Sequence, residues 1–441
     1  MRSTFRVLAL LTAALPSAYL SAAPVVVTAT FQQGTSGYSG AFDRRIGPTA
    51  ANEVNGADVD TVTTSYFLDG GGSSFGDGVA TQGLIRFDSL LGAGGVPAGA
   101  KIISATLDMV TGSTSNAHTG GAYNLYQLAT PFDSTSSWST TFGGDGLTGD
   151  VVDLLGSYDD LAQGSMNSAR ADNAVQAWVD GAPNYGFGIR SDRSNDGWSP
   201  HTTGSSTVAD RPQLTVNYTV DPLVNVRSYQ NGVNGYSDTT DIRLNNADGS
   251  TTLGSADPEP DIDGVNATDS QDRPYFIRFD NLDLSAGQVY KAELVLTTGF
   301  SSANADSPGP VQVHQLLRDW DTNLVYADLD SNGDPLLTDL TELQANGDIG
   351  PVAATVVDMQ DTEVMHIDVT SIVQNWRQGA PNYGFYLGTI GTSNGWQLFS
   401  TGAAEAGLRP ELRIITVIPE PAAATLLASC LAAAALGHRR R

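Results

Sequence analysis

The chain has 441 residues and a net charge of −26, from 48 acidic and 22 basic side chains. A field of that sign repels phosphate backbones and anionic membrane surfaces, which excludes nucleic acid as a partner. The single cysteine, Cys430, excludes a disulfide framework, and without it the body has no thiol ligand for zinc.

The first residues read as a secretory signal over 1–22. Arg2 and Arg6 give the basic start, 7–15 the apolar stretch, and Ser21, Ala22 and Ala23 the small residues before cleavage. Beyond it, 48 glycines and many Asn, Asp, Ser and Thr lie between short apolar runs. That composition predicts strands joined by turns. The body is one domain written twice. Residues 181–187, Gly181-Ala182-Pro183-Asn184-Tyr185-Gly186-Phe187, recur unchanged at 379–385, an offset of 198. Tyr38 and Tyr236, Asp43 and Asp241, Trp178 and Trp376, Trp198 and Trp396, and Arg211 and Arg409 keep the same phase. The predicted domains are 25–220 and 223–417, each large enough for its own core. A side chain present in both is either scaffold or part of a shared site.

Within each half the order is the same. An extended stretch and a Gly-Tyr-Ser turn (37–39 and 235–237) lead to an Asp- and Gly-rich loop and a strand at 83–88 and 275–280. There period-two alternation puts Ile85 and Phe87 on one face and Arg86 on the other. Strands follow at 102–110 and 292–298, and at 123–128 and 311–316. The long segments 131–170 and 318–362 are where the halves agree least, and they read as variable inserts. A strand at 366–369 precedes a short helix, 174–178 and 372–376, with Asp172 and Thr370 as expected N-caps. Trp178 and Trp376 fall on its apolar face and read as core. The repeated heptapeptide makes a turn into another strand, and each half closes on Arg-Pro and a strand, 214–218 and 412–416. Nine or so short strands per half predict an all-β protein of two tandem jelly-roll-like β-sandwiches.

The C-terminus has three parts: Pro419-Glu420-Pro421, an uncharged span 422–437, and Arg439-Arg440-Arg441 after His438. Sixteen apolar residues are short for a spanning helix. Together these parts resemble the PEP-CTERM sorting signal of Gram-negative bacteria, over 419–441. The resemblance implies export, transient inner-membrane contact through this short transmembrane segment, processing by an exosortase-type enzyme, and release to the cell surface or extracellular matrix.

Leu84-Ile85-Arg86-Phe87-Asp88, the stretch from Val96-Pro97-Ala98-Gly99-Ala100 to Leu107, Gln374-Asn375-Trp376, and the closing Arg-Pro strands resemble the DNRLRE-type domain of secreted bacterial proteins. The likeness spans about 26–417. The second half departs from it where Asp283-Leu284-Ser285-Ala286-Gly287 replaces the Pro-Ala-Gly-Ala phrase. The resemblance implies a jelly-roll sandwich similar to carbohydrate-binding modules, with extracellular polysaccharide as the partner class.

Candidate chemistry is sparse. Gly72-Ser73-Ser74-Phe75-Gly76 matches a nucleophile-elbow pattern, but it stands in a Gly-rich loop rather than a strand-to-helix turn. No histidine has another at i+4, so zinc is unsupported. His314 in Gln312-Val313-His314 suggests a lyase base, and the first half has Tyr126 in its place. Asp328, Asp330, Asn332 and Asp334 with Asp339 at position twelve fit a calcium loop. Pro335 and the lack of a first-half counterpart favour the plainer reading, an acidic surface turn. A second acidic loop holds Asp257, Asp261 and Asp263. Glycan binding would use aromatic faces, for which Trp198, Trp396, Tyr38 and Tyr236 are candidates, against the plainer reading that they pack at the sandwich edge. The expected function is a non-catalytic surface or matrix protein that binds glycan or serves as structure. The alternative is a polysaccharide lyase or glycosidase on the same scaffold.

Overall fold

A computed structural model describes residues 24–58, 68–70, 80–92, 94–112, 123–158, 161–191, 197–247, 249–264, 272–285, 287–299, 310–329, 339–357, 363–389 and 395–418. Residues 1–23, where the secretory signal is expected, and the 419–441 tail lie outside them. Among the described residues, no helix is long and apolar enough to cross a membrane.

The protein is mostly antiparallel β-structure, and its halves share one strand order. In the first half a four-stranded sheet runs Val27–Gln32, Gln213–Thr219, Lys101–Val110, Met166–Arg170. A six-stranded sheet runs Val54–Asn55, Ala41–Ile46, Gln82–Phe87, Phe187–Arg190, Tyr123–Leu128, Val151–Tyr158. The second half repeats both. Its four-stranded sheet is Val224–Gln230, Glu411–Val417, Gln288–Thr297, Val364–Asp368; its six-stranded sheet is Thr251–Leu253, Thr239–Leu244, Tyr275–Phe279, Phe385–Thr389, Val311–Leu316, Ile349–Val356. A two-stranded ribbon closes one end of each half, pairing Leu68–Asp69 with Gly197–Trp198 and Asp261–Ile262 with Trp396–Gln397.

The two larger sheets of each half pack face to face. Alternation decides what lies between them. Leu107 and Leu214 from one sheet meet Ile85, Phe87, Leu125 and Phe187 from the other, and Leu294, Leu412, Ile277 and Phe385 do the same in the second half. Helices Asp172–Val179 and Thr370–Arg377 plug the layers with Trp178 and Trp376. Their expected caps are different in kind. Asp172 and Thr370 are the first helical residues, and neither caps its own helix. Asp172 Oδ1 accepts the Ala105 amide at 3.0 Å and Thr370 Oγ1 the Ala292 amide at 2.9 Å. Each therefore fastens the helix to a neighbouring strand.

The inserts are less variable in structure than in sequence. Both end in an edge strand, Val151–Tyr158 and Ile349–Val356, displaced by the same 198 residues. Ahead of it, each insert folds over the outer face of its six-stranded sheet. In the first half Phe132, Trp138, Phe142 and Leu147 pack on Ile46, Leu84 and Leu128. In the second, Trp320, Leu324, Tyr326, Leu329 and Leu343 pack on Ile242, Leu244, Phe276 and Tyr386.

The halves also touch each other. The outer face of the second four-stranded sheet receives the first half's strands 101–110, 151–158 and 166–170. Ile103 packs with Val224, Ile415 and Val417. Arg170 forms a bidentate pair with Glu293, both bonds at 3.0 Å. Arg413 pairs with Asp172 and donates to the Ile102 carbonyl at 3.1 Å.

Candidate functional site

The residues common to both halves are the natural place to seek a shared site, and they are spent on the backbone. In the repeated heptapeptide Asn184 Nδ2 donates to the Phe87 carbonyl at 2.9 Å while its Oδ1 accepts the Gly186 amide at 3.0 Å; Asn382 does the same with Phe279 and Gly384. Gly186 and Gly384 have φ of +86° and +87°, and a Cβ there would lie 2.4 and 2.1 Å from the carbonyl oxygens of Ile85 and Ile277. Only glycine fits both constraints. Arg211 reaches the carbonyls of Ser205 and Gln33, and Arg409 those of Ala403 and Asn231.

The shared acids are also internal. Asp43 is 2% exposed and is bonded by the Thr203 hydroxyl; Asp241 is 3% exposed and is bonded by the hydroxyls of Thr401 and Tyr275. Burial pushes Asp43 up to about 6, and it raises Asp241 and the Tyr275 phenol as well. These are buried polar ties without access to a ligand.

The sugar-stacking reading of the tryptophans is corrected. Trp198 is fully buried against Tyr123 and Tyr158, with its indole N–H donating to Thr111 Oγ1 at 2.9 Å. Trp396 is 1% exposed, in the core of its half. An indole without an open face offers no platform for a sugar ring. Tyr38 and Tyr236 are half-buried. Their hydroxyls donate to the carbonyls of Asp88 and Asp280 at 2.8 and 2.9 Å, and their rings meet Phe31 and Tyr229 edge-on. Burial, then the charge of Asp88, raises the Tyr38 phenol.

His314 is fully buried, with Nδ1 2.8 Å from the Gly350 carbonyl. Burial lowers its pKa, so it is neutral. A base must reach the proton it removes, and this ring is sealed between strands.

Of the calcium-loop candidates, Asp328 ends a short 3-10 turn, Tyr326–Asp328. Its Oδ2 accepts the Val325 amide at 3.0 Å and its carbonyl accepts from Arg318 at 2.9 Å. Asp330, Asn332 and Asp334 lie outside the described residues, as does the side chain of Asp339, which opens helix Asp339–Asn346. Among the described residues, no cluster of three or more His, Cys, Asp or Glu is placed to hold a metal ion.

What distinguishes the halves is the inserts. The second leaves an open cleft of about 280 Å³ lined by Asp319, Trp320, Asp321, Asn323, Leu324 and Asp328. Arg278 builds its wall: the guanidinium lies 5.1 Å from the centre of the Trp320 ring and donates to the Trp320 carbonyl at 3.0 Å. Arg86 holds Phe132 in the same way, 5.2 Å from the ring and 2.5 Å from its carbonyl. Sequence comparison missed this common device because the arginine is shared while the aromatic it grips is not.

No protein-family model matches the chain, and no curated protein does. Solved structures similar to it include the infectious bursal disease virus VP2 subviral particle and the T=1 particles derived from that virus. Each is 10% identical with a TM-score of 0.15, over 92% of this chain and 79% and 80% of theirs. At that score the likeness carries no argument.

Proposed function

We propose that this chain is an exported, non-catalytic protein of the bacterial cell surface or extracellular matrix. It is built on two tandem jelly-roll-like sandwiches that serve as a structural, glycan-contacting unit. One observation carries the reading: the shared side chains of Asn184 and Asn382, Arg211 and Arg409, and Asp43 and Asp241 bond the backbone or neighbouring hydroxyls inside the fold. The repeated part is then scaffold, and contact with a polysaccharide falls to the inserts, with the cleft of Asp319, Trp320, Asp321 and Asp328 as the first candidate surface. The signal over 1–22 and the tail with Pro419-Glu420-Pro421 and Arg439–Arg441 support export and processing by an exosortase-type enzyme. Calcium at Asp328 and its neighbours is the one cofactor in view.

The test is a glycan array and a polysaccharide pull-down with the purified chain, with calcium and with chelator. Binding lost in Asp321→Asn/Asp328→Asn supports the cleft, and loss in chelator assigns calcium to it. No binding in either condition leaves the structural reading alone. The competing reading, a lyase or glycosidase, draws on the three cleft carboxylates; turnover of any polysaccharide by the purified chain would establish it and overturn ours.

A further inference from the structure

The seam between the halves encloses a cavity of about 20 Å³, room for one water-sized group. Glu411, 5% exposed, lines it, and its Oε1 has no hydrogen-bond partner among the protein atoms. Both ring nitrogens of His366 are shielded from solvent there and are likewise unpartnered. Buried polar atoms without partners are uncommon and costly, so a cluster of them at one joint calls for an explanation.

The charges around the cavity do not balance evenly. From the first half come Asp153, Arg170 and Asp172, with the amide of Asn173. From the second come Arg413 on Glu411's own strand, Glu293 and Lys291 on the adjoining strand, and His366 beyond it. Ser228 and Gln230 on the other side are neutral. Arg170 and Lys291 bind Glu293, and Arg413 binds Asp172. Arg409 is turned to the carbonyls of Ala403 and Asn231. That leaves two acids without a cation, Asp153 and Glu411, one from each half. Asp153 is pressed against the second half: a Cβ on Gly407 would lie 2.3 Å from its Oδ1.

We propose that Asp153 and Glu411 form a proton-operated catch, which holds the halves docked while the pair carries a proton and releases them when both carboxylates ionise. The geometry places two acids in one enclosed seam, and the surrounding cations are already engaged.

The titrations agree in sign. Burial, aided by the charge of Asp153 and opposed by hydrogen bonds from Ser228 and Asn173 and by the charge of Arg170, raises Glu411 to about 7; burial raises Asp153 to about 6. In the undocked state both would be ordinary surface carboxylates. The docked form therefore binds more protons at mildly acidic pH. Docking weakens as pH rises toward 7, by about tenfold per pH unit for each proton released, and levels off above it. A second limit lies on the acid side. Burial and then the Arg170 charge hold His366 down at about 3; for Glu293 burial works against the charge, but the Arg170 hydrogen bonds hold it at about 2. Those groups bind fewer protons when docked, so each weakens docking as pH falls: His366 from its ordinary value of 6.5 downward, partly offsetting the two acids, and Glu293 below 4.5. The inference does not depend on export or on glycan binding.

The test is small-angle X-ray scattering of the full chain at pH 5.5 and pH 8.5, with circular dichroism at each pH to confirm that both halves stay folded. A larger maximum dimension at pH 8.5 is expected for the wild type, and Glu411→Gln and Asp153→Asn should stay compact at both. Equal dimensions in the wild type, or opening of Glu411→Gln like the wild type, overturns the catch. Hydrogen exchange of the wild type alone gives an independent measure. The Val364 amide donates across the seam to Ser157 Oγ at 2.9 Å. After correction for intrinsic rate, it should lose protection at pH 8.5 while the core amide of Leu125 keeps its own; unchanged protection at Val364 refutes the proposal even if neither variant folds.

Discussion

Gly254 lies under the carboxylate of Asp241, where a Cβ would sit 2.1 Å from Oδ2; Gly56 stands in the same relation to Asp43, at 2.0 Å. The requirement is one of space. The carboxylate has little freedom to retreat, because the Thr401 hydroxyl and amide and the Tyr275 hydroxyl all hold it. Gly254→Ala must either displace Asp241 from those donors or shift the turn Gly254–Ala256 that carries it. Overpacking of this kind costs about 2–3 kcal/mol. A fall of that size in stability, measured by chemical denaturation, is the expected outcome. The exposed neighbour Ser255→Ala should stay within about 0.5 kcal/mol of wild type. An unchanged midpoint for Gly254→Ala would mean that the carboxylate has room to move.

At the scale of elements, the inserts explain both what sequence comparison reached and what it missed. Strands with one core face were legible, because alternation such as that of Ile85, Arg86 and Phe87 survives in both halves. The edge strands Val151–Tyr158 and Ile349–Val356 were not. Both carry register shifts against their neighbours and expose apolar side chains such as Val152 and Val352, so neither shows a clean period of two. The tryptophans after Gly197 and Gly395 follow turns, and the sequence left open whether they face a sugar or pack at the sandwich edge. The ribbon strands that bury them are two residues long, too short to leave a pattern. The site suffered similarly, since a cleft made by an aromatic gripped from a different strand has no local motif. Its grip is testable. Arg278 holds the insert through the Trp320 ring and carbonyl and pairs with Asp280 and Asp319. Cation–π and carbonyl contacts of this kind contribute about 1–2 kcal/mol. Arg278→Ala should raise hydrogen exchange over 317–329 by about tenfold and leave the core strand Tyr275–Phe279 protected. Exchange that rises equally in both would make Arg278 a global stabiliser instead.

For the whole molecule, equivalent positions on the two four-stranded sheets carry different chemistry, and the difference follows from what covers them. On the first half's outer face Thr28, Thr106, Asp108, Thr215 and Asn217 stay at least partly open to solvent. At the same places the second half has Val226, Glu293, Val295, Arg413 and Ile415, the last four buried. The docked face thus carries apolar groups and two charges, each paired across the seam, where the open face carries hydroxyls, a carboxylate and an amide. The docking contact is therefore specified once, and the same surface on the first half is not built to accept another domain. Its firmest element is Arg170 with Glu293, whose side chains are 16% and 6% exposed. A buried pair is weak evidence of net stability, yet removing one partner leaves an uncompensated charge, at a cost of about 3–5 kcal/mol. Arg170→Ala leaves the buried Glu293 with Lys291 as its one partner and Asp172 with Arg413 alone. The cheapest relief for the molecule is to separate the halves and return Glu293 to water. Arg170→Ala should therefore replace a single calorimetric transition by two, one for each half. Arg170→Met/Glu293→Leu, which removes both charges and keeps the volume, should restore one. Two transitions already present in the wild type would mean that the halves unfold independently and that the pair does not couple them.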